Sequence, residues 1–155
     1  KPADEDESNK IISELNQGRT VVTANDVHSV ACVLKTFFQT LQEPLIPLSA
    51  AYSFSTSMRF YECIYKAETL SNENKETLKY MIGFLQELIS FKDITKMGVN
   101  DLTRIFASFF IRNVTNQPQV PMDSLISNTA WFLTCLIDHW DTEDIYDKHS
   151  NDFVL

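Results

Sequence analysis

The sequence predicts an all-α protein. Apolar residues recur at helical spacing along most of its 155 residues, and strand-like alternation is scarce. There are three glycines and no Asn-Gly or Asp-Gly pair, the strongest short-range hairpin signal. A chain of this length can bury a core as one domain, and 44% hydrophobic with 12% aromatic residues sets it apart from disordered chains.

The elements follow in order. The stretch "ESNKIISELNQG" predicts a short helix with Ile11, Ile12 and Leu15 on one side and Gly18 at its C-terminal end. Asp26 suits the N-cap of a second helix, in which Val30, Leu34, Phe37 and Leu41 are spaced i, i+4, i+7 and i+11. Pro44 stops it, because the residue before a proline avoids helical angles and proline lacks the N–H. A third helix is expected from about Leu48 to Tyr65, with Tyr52, Met58, Phe60 and Tyr61 among its large residues.

Ser71 or Asn72 caps a fourth helix, where Glu73 and Glu76 suit the positive end of the dipole. Leu78, Met81, Ile82, Leu85, Leu88 and Ile89 form one stripe; Tyr80, Phe84 and Phe91 form a second. Two stripes predict a central helix buried on more than one side. Asn100 is the expected cap of a fifth helix carrying Leu102, Ile105, Phe106, Phe109 and Phe110. After "VTNQPQVP" comes a sixth, roughly Asp123 to Trp140, with Leu125, Phe132, Leu133, Leu136 and Ile137. Residues 1–140 are thus expected to form one helical domain. Residues 141–155 form an acidic tail whose Ile145, Tyr146 and Phe153 could pack back on it.

Bulk properties narrow the function. A formal net charge of −8 argues against nucleic acid, which needs clustered Lys and Arg, and against charge-driven docking on anionic lipid. The apolar runs stop short of the roughly 18 residues that span a bilayer, and the start "KPADEDESNK" is acidic and polar, so no membrane insertion is expected. Cys32, Cys63 and Cys135 are far apart and lie in apolar helical stretches, the pattern of buried free thiols in a cytoplasmic protein. The Asn113-Val114-Thr115 sequon is then a chance match.

No phosphate loop, HExxH, GxSxG or EF-hand pattern occurs. His28, His139 and His149 lack metal or nucleophile partners in sequence, and Asp141, Glu143, Asp144 and Asp147 lack the glycine and terminal glutamate of a calcium loop. His28 and His139 read as capping or packing residues, Trp131 and Trp140 as core or boundary residues. No metal, cofactor or catalytic residue is expected. From the residues alone the chain reads as a binding or scaffolding module, with an enzyme second.

Three stretches carry a resemblance: "DVHSVACVLKTFFQTLQEPLIP", "NKETLKYMIGFLQELI" and "NDLTRIFASFFIRN". In this order and at these separations they resemble the RhoGAP domain over roughly residues 8–140. The family pattern is a long helix ending Lys-x-x-x-Arg-x-Leu-Pro-Glu-Pro-Leu, then Asn-x-x-Thr-Leu, then Asn-Leu-Ala-x-x-Phe-x-Pro-x-Leu-x-x-Arg. The resemblance implies a single RhoGAP-like helical domain whose N-terminal helices are absent from this chain. It also implies a GTPase-facing surface formed by Lys35, Gln39, Ser108, Phe109, Arg112 and Asn113.

Departures from that pattern set the expected activity. Lys35 keeps the family's lysine, but Gln39 replaces its arginine and Gln42 its first loop proline. Ser108 and Phe109 stand where active members carry a proline and often an asparagine, and an aromatic ring cannot supply an amide's hydrogen bonds. The family's arginine finger, worth about 10³–10⁵ in rate, lies in a loop just ahead of the helix corresponding to residues 8–17. No arginine precedes that helix here, and Arg19 lies at its far end.

His28-Ser29-Val30-Ala31, residues 80–89 and Phe106 through Arg112 are similar to one branch in particular, the RhoGAP-like domain of Lowe-syndrome-type inositol polyphosphate 5-phosphatases. That likeness implies a domain without GTPase-activating activity. Its partners would be Rho/Rac/Cdc42-type GTPases and endocytic adaptors bearing a helical Phe/His motif, and they could recruit it to endomembranes. The alternative is an active RhoGAP whose arginine finger lies upstream of Lys1.

Overall fold

The computed structural model describes residues 3–19, 22–112 and 121–145. Among them are eight α-helices and no strand, so the all-α class holds. The chain divides into two compact units, Lys1–Gln42 and Glu43–Leu155.

The first unit holds α1 (Glu5–Asn16) and α2 (Val27–Thr40), which pack on each other. Asp4 caps α1 by accepting from Glu7 N, and three acidic residues in its first turn suit the dipole. Gly18 ends the turn after α1 at φ +84°, a left-handed conformation that costs an L side chain energy. Asp26 caps α2, accepting from His28 N at 3.2 Å, as the sequence led us to expect.

The buried face of α2 differs from the expected one. Val30 and Phe37, at the centre of the apolar stripe, are 45% and 51% exposed. Val33 and Phe38, about 140° apart around the helix at the stripe's two edges, are buried instead. Ser29 fixes the first of these edges: its hydroxyl is buried and accepts from Asp4 N at 3.2 Å, where α1 begins. A spacing rule finds the stripe, but the angle at which a neighbour meets it decides which rows are covered.

The second unit is organised around α8 (Met122–His139), which packs against α3 (Leu48–Ala51), α4 (Phe60–Glu68), α5 (Asn72–Ser90) and α7 (Val99–Ile111). The central helix is therefore α8, not the expected α5. Phe132, Leu133 and Leu136 of α8 are fully buried, as are Leu78, Ile82 and Leu85 of α5. The second stripe of α5 is only half covered: Tyr80 and Phe84 are half-buried and Phe91 is exposed.

Two further corrections concern helix ends. The expected helix from Leu48 to Tyr65 is interrupted at residues 52–59. Ser53 Oγ donates to Ala50 O at 2.6 Å, and Ser55 and Ser57 share a hydrogen bond of 2.8 Å. Hydroxyls bonding locally in this way compete with the helical ladder. Phe54 and Met58 anchor the turn: the Phe54 ring stacks on Phe132 at 4.0 Å, and Met58 O accepts from Trp131 Nε1 at 3.1 Å. Helix α7 is capped at Gly98 rather than Asn100, and Asp101 Oδ2 accepts from Gly98 N at 3.3 Å. The four-residue α6 (Lys92–Thr95), which the sequence did not announce, ends at Lys96 with φ 59°.

Residues 141–145 are tied to α5. Thr142 Oγ1 donates to Gln86 Oε1 at 2.9 Å, and Lys79 pairs with Asp144 at 3.2 Å. Tyr146, His149 and Phe153 lie outside the described residues.

Candidate functional site

In the first unit, the candidate residues lie on the polar side of α2, opposite the Val30–Phe37 stripe. Lys35 and Gln39 are four residues apart, so they stand one above the other on the same face, and both are exposed. His28 and half-buried Cys32 share that side, and neither belongs to a metal cluster: the described residues contain no group of three His, Cys, Asp or Glu placed to hold an ion. A last turn reinforced by Thr40 Oγ1 donating to Thr36 O at 2.9 Å leads to the stop before Pro44.

In the second unit, they lie at the C-terminal end of α7. Ile46 N donates to Phe110 O at 3.0 Å, fastening this end to the segment after Pro44, where Leu45 and Ile46 are buried. The Ser108 hydroxyl bonds back to its own helix, donating to Ile105 O at 2.6 Å. The Phe109 ring is half-buried and meets Phe106 edge-on, with centroids 5.6 Å apart. Neither offers the hydrogen-bonding amide of an asparagine. Arg112, half-buried, follows with φ 50° and ψ 136°, a sparsely populated region for a residue with a Cβ. Asn113 lies outside the described residues.

The remaining singled-out side chains are structural. The exposed His139 ring lies against Phe60, with centroids 4.4 Å apart and planes tilted by 32°. Trp140 donates to Glu68 Oε1 at 3.0 Å and lies under Lys79 Nζ at 5.4 Å. Cys63 and Cys135 are buried neighbours on α4 and α8; burial, then the Cys135 thiol beside it, pushes the Cys63 thiol up to about 12, and burial raises Cys135 too. Such thiols are poor nucleophiles. A cleft runs along α4 that the sequence does not announce, and it exists because the helix breaks at 52–59. Its only signal was the hydroxyl run Ser53 to Ser57.

The description "RhoGAP domain" fits residues 1–115 of the chain at the level of a family model. The chain belongs to the RhoGAP domain family. It is 32% identical over 130 residues to the probable Rho-GTPase-activating protein 7 of Schizosaccharomyces pombe, covering 79% of this chain and 18% of that protein. It is 28% identical over 110 residues to human Rho GTPase-activating protein 24, covering 65% of this chain and 15% of that one. The chain thus spans less than a fifth of the length of these relatives. Two solved structures share the fold at 20% identity: human Rho GTPase activating protein 15 has a TM-score of 0.75, over 92% of this chain and 72% of that one. The BH domain of GRAF, the GTPase regulator associated with focal adhesion kinase, has a TM-score of 0.72, over 94% and 81%.

Proposed function

We propose that this RhoGAP domain docks a Rho-family small GTPase through Lys35 and Gln39 of α2 together with Ser108, Phe109 and Arg112 at the end of α7, with little or no acceleration of GTP hydrolysis. The observation that carries this reading is the exposed Lys35–Gln39 pair, which keeps the family's lysine and lacks its arginine. A lysine on a protein–protein rim attracts an acidic partner and raises the association rate. Ser108 and Phe109 add to it, since their side chains are turned to their own helix rather than offering an amide.

The branch resemblance supports the same reading. It brings helical Phe/His-motif adaptors as a second class of partner, recruitment to endomembranes through partners, and a phosphatase domain elsewhere in the parent protein. A second reading, an active GTPase-activating domain with an arginine supplied from residues before Lys1, is favoured by relatives named as Rho GTPase-activating proteins.

Single-turnover GTP hydrolysis on Rac separates the two, with the domain in excess and the residues before Lys1 included. Binding with an unchanged hydrolysis rate is the expected result; a clear stimulation moves the assignment to the second reading. Lys35→Glu is expected to weaken binding to the GTP-analogue form by about tenfold, about 1.4 kcal/mol. Unchanged binding would take Lys35 off the surface.

A further inference from the structure

Helix α4 borders a groove in the second unit that the GTPase reading does not use. It consists of two adjoining clefts of about 730 Å³ and 470 Å³ that share Ser53, Tyr65 and Lys66. The first opens at Met58 and Tyr61, near the start of α4; the second reaches Thr69, Ser71 and Asn74, where α4 ends and α5 begins. Nine residues of α-helix make this track about 13 Å long, the span of about four residues of extended chain.

Its wall, rim and centre each have a distinct chemistry. Tyr61 and Tyr65, four residues apart on α4, are 52% and 71% exposed, which is high for side chains of this size. Hydroxyls of Ser53, Ser55, Ser57 and Thr69 line the rim. Ser53 donates to Ala50 O, Thr69 to Lys66 O, and Ser55 and Ser57 bond each other, so the rim presents mainly lone pairs. Such a rim can accept from the N–H groups along one edge of an extended backbone, which must find partners when water is displaced. Half-buried Lys66 lies at the centre, donating to Ser53 Oγ at 3.0 Å. Among the described residues no carboxylate forms an ion pair with its Nζ. Glu62, one turn before it, is held by Arg59 N at 2.8 Å, and Glu43 lies in the lining of the far cleft.

We propose that this groove binds an extended peptide segment of a partner protein, with one Asp or Glu side chain over Lys66 and an apolar or aromatic side chain against Tyr61 and Tyr65. Lys66, the one cation in the lining of both clefts, selects an acidic residue at the centre of the segment, while Arg59 is engaged at the near end, donating to Tyr61 Oη at 3.4 Å. Glu43 and Glu62 on either side disfavour a run of acids, so the bound segment carries one carboxylate rather than a polyanionic tract. The aromatic wall supplies apolar contact at low entropic cost, because tyrosine loses few rotamers on binding.

The test is selection from a random seven-residue peptide library displayed on phage, panned over the whole chain, followed by fluorescence polarisation of the enriched peptides. Enriched sequences are expected to share one central Asp or Glu two or three positions from an apolar residue. Lys66→Glu is expected to weaken them by more than tenfold, and replacing the central acid by Lys should restore binding to that variant. Tyr65→Ala should weaken them several-fold. Circular dichroism and melting temperature verify that both exposed-site variants stay folded. No enrichment, enrichment of polyanionic peptides, or peptides that bind Lys66→Glu as tightly as the native chain would each overturn the proposal. None of these outcomes bears on the GTPase-docking face.

Discussion

At the residue scale, two of the three cysteines are buried, as their apolar helical surroundings in the sequence led us to expect. Cys63 is fully buried beside Cys135, and the protein holds its thiol protonated to about pH 12, against 9.0 for an unstructured thiol. The sign of the linkage follows. The native state keeps its proton between pH 9.0 and about 12 while the unfolded chain loses it, so stability falls as pH rises through that window. Tyrosines and lysines titrate there as well, so the informative measurement is a comparison. The melting temperature of the native chain is expected to fall more steeply above pH 9 than that of Cys63→Ala; equal slopes would count against the buried-thiol account. Phe109 stands where family members often carry an asparagine, yet its ring completes an edge-on contact with Phe106, so substitution to asparagine trades packing for hydrogen-bonding capacity.

Among elements, the turn between α3 and α4 most clearly separates spacing from structure. The sequence predicts one helix through it, from about Leu48 to Tyr65, with Tyr52, Met58, Phe60 and Tyr61 among its large residues. Three serines bonding locally turn the chain instead, and the buried Phe54 and Met58 pin it to α8. Phe54→Ala removes a ring stacked at 4.0 Å on Phe132, beside the hub of the unit. The expected loss is about 3–5 kcal/mol of unfolding free energy, measured by urea denaturation. A loss below about 1 kcal/mol would mean that the turn is held by its hydroxyls rather than by its aromatic anchor. The α4 groove depends on this break, so the same variant should also weaken any peptide bound there.

For the whole molecule, one amide bridges α5 to both the end of α8 and the segment after it. Gln86 Nε2 donates to Ile137 O at 2.9 Å and to Trp140 O at 3.4 Å, while its Oε1 accepts from Thr142. Gln86→Leu keeps the side chain's bulk and leaves those partners unpaired, at a cost of about 1–3 kcal/mol. Limited proteolysis should then cut near residues 141–145 well before the helical body; an unchanged cleavage pattern would show that Lys79–Asp144 and the buried Thr142 suffice.

What the sequence determined by itself was the helical class, the cap at Asp26, a cap at Ser71 or Asn72 that falls at Ser71, the stop before Pro44, the helix end at Gly18 and the family. All of these rest on local chemistry: a side chain and its near neighbours suffice to specify a cap, a stop or a motif. Three motifs in register were enough to name the RhoGAP domain before any contact was known. Tertiary structure alone decided which rows of α2 are covered, that α8 rather than α5 is the hub, and that α4 borders a groove. These depend on how helices meet, and a helix with apolar residues around much of its circumference can satisfy its own periodicity in several orientations. Packing selects one of them, and the side chains it leaves exposed, Tyr61 and Tyr65 among them, are the ones available to another molecule.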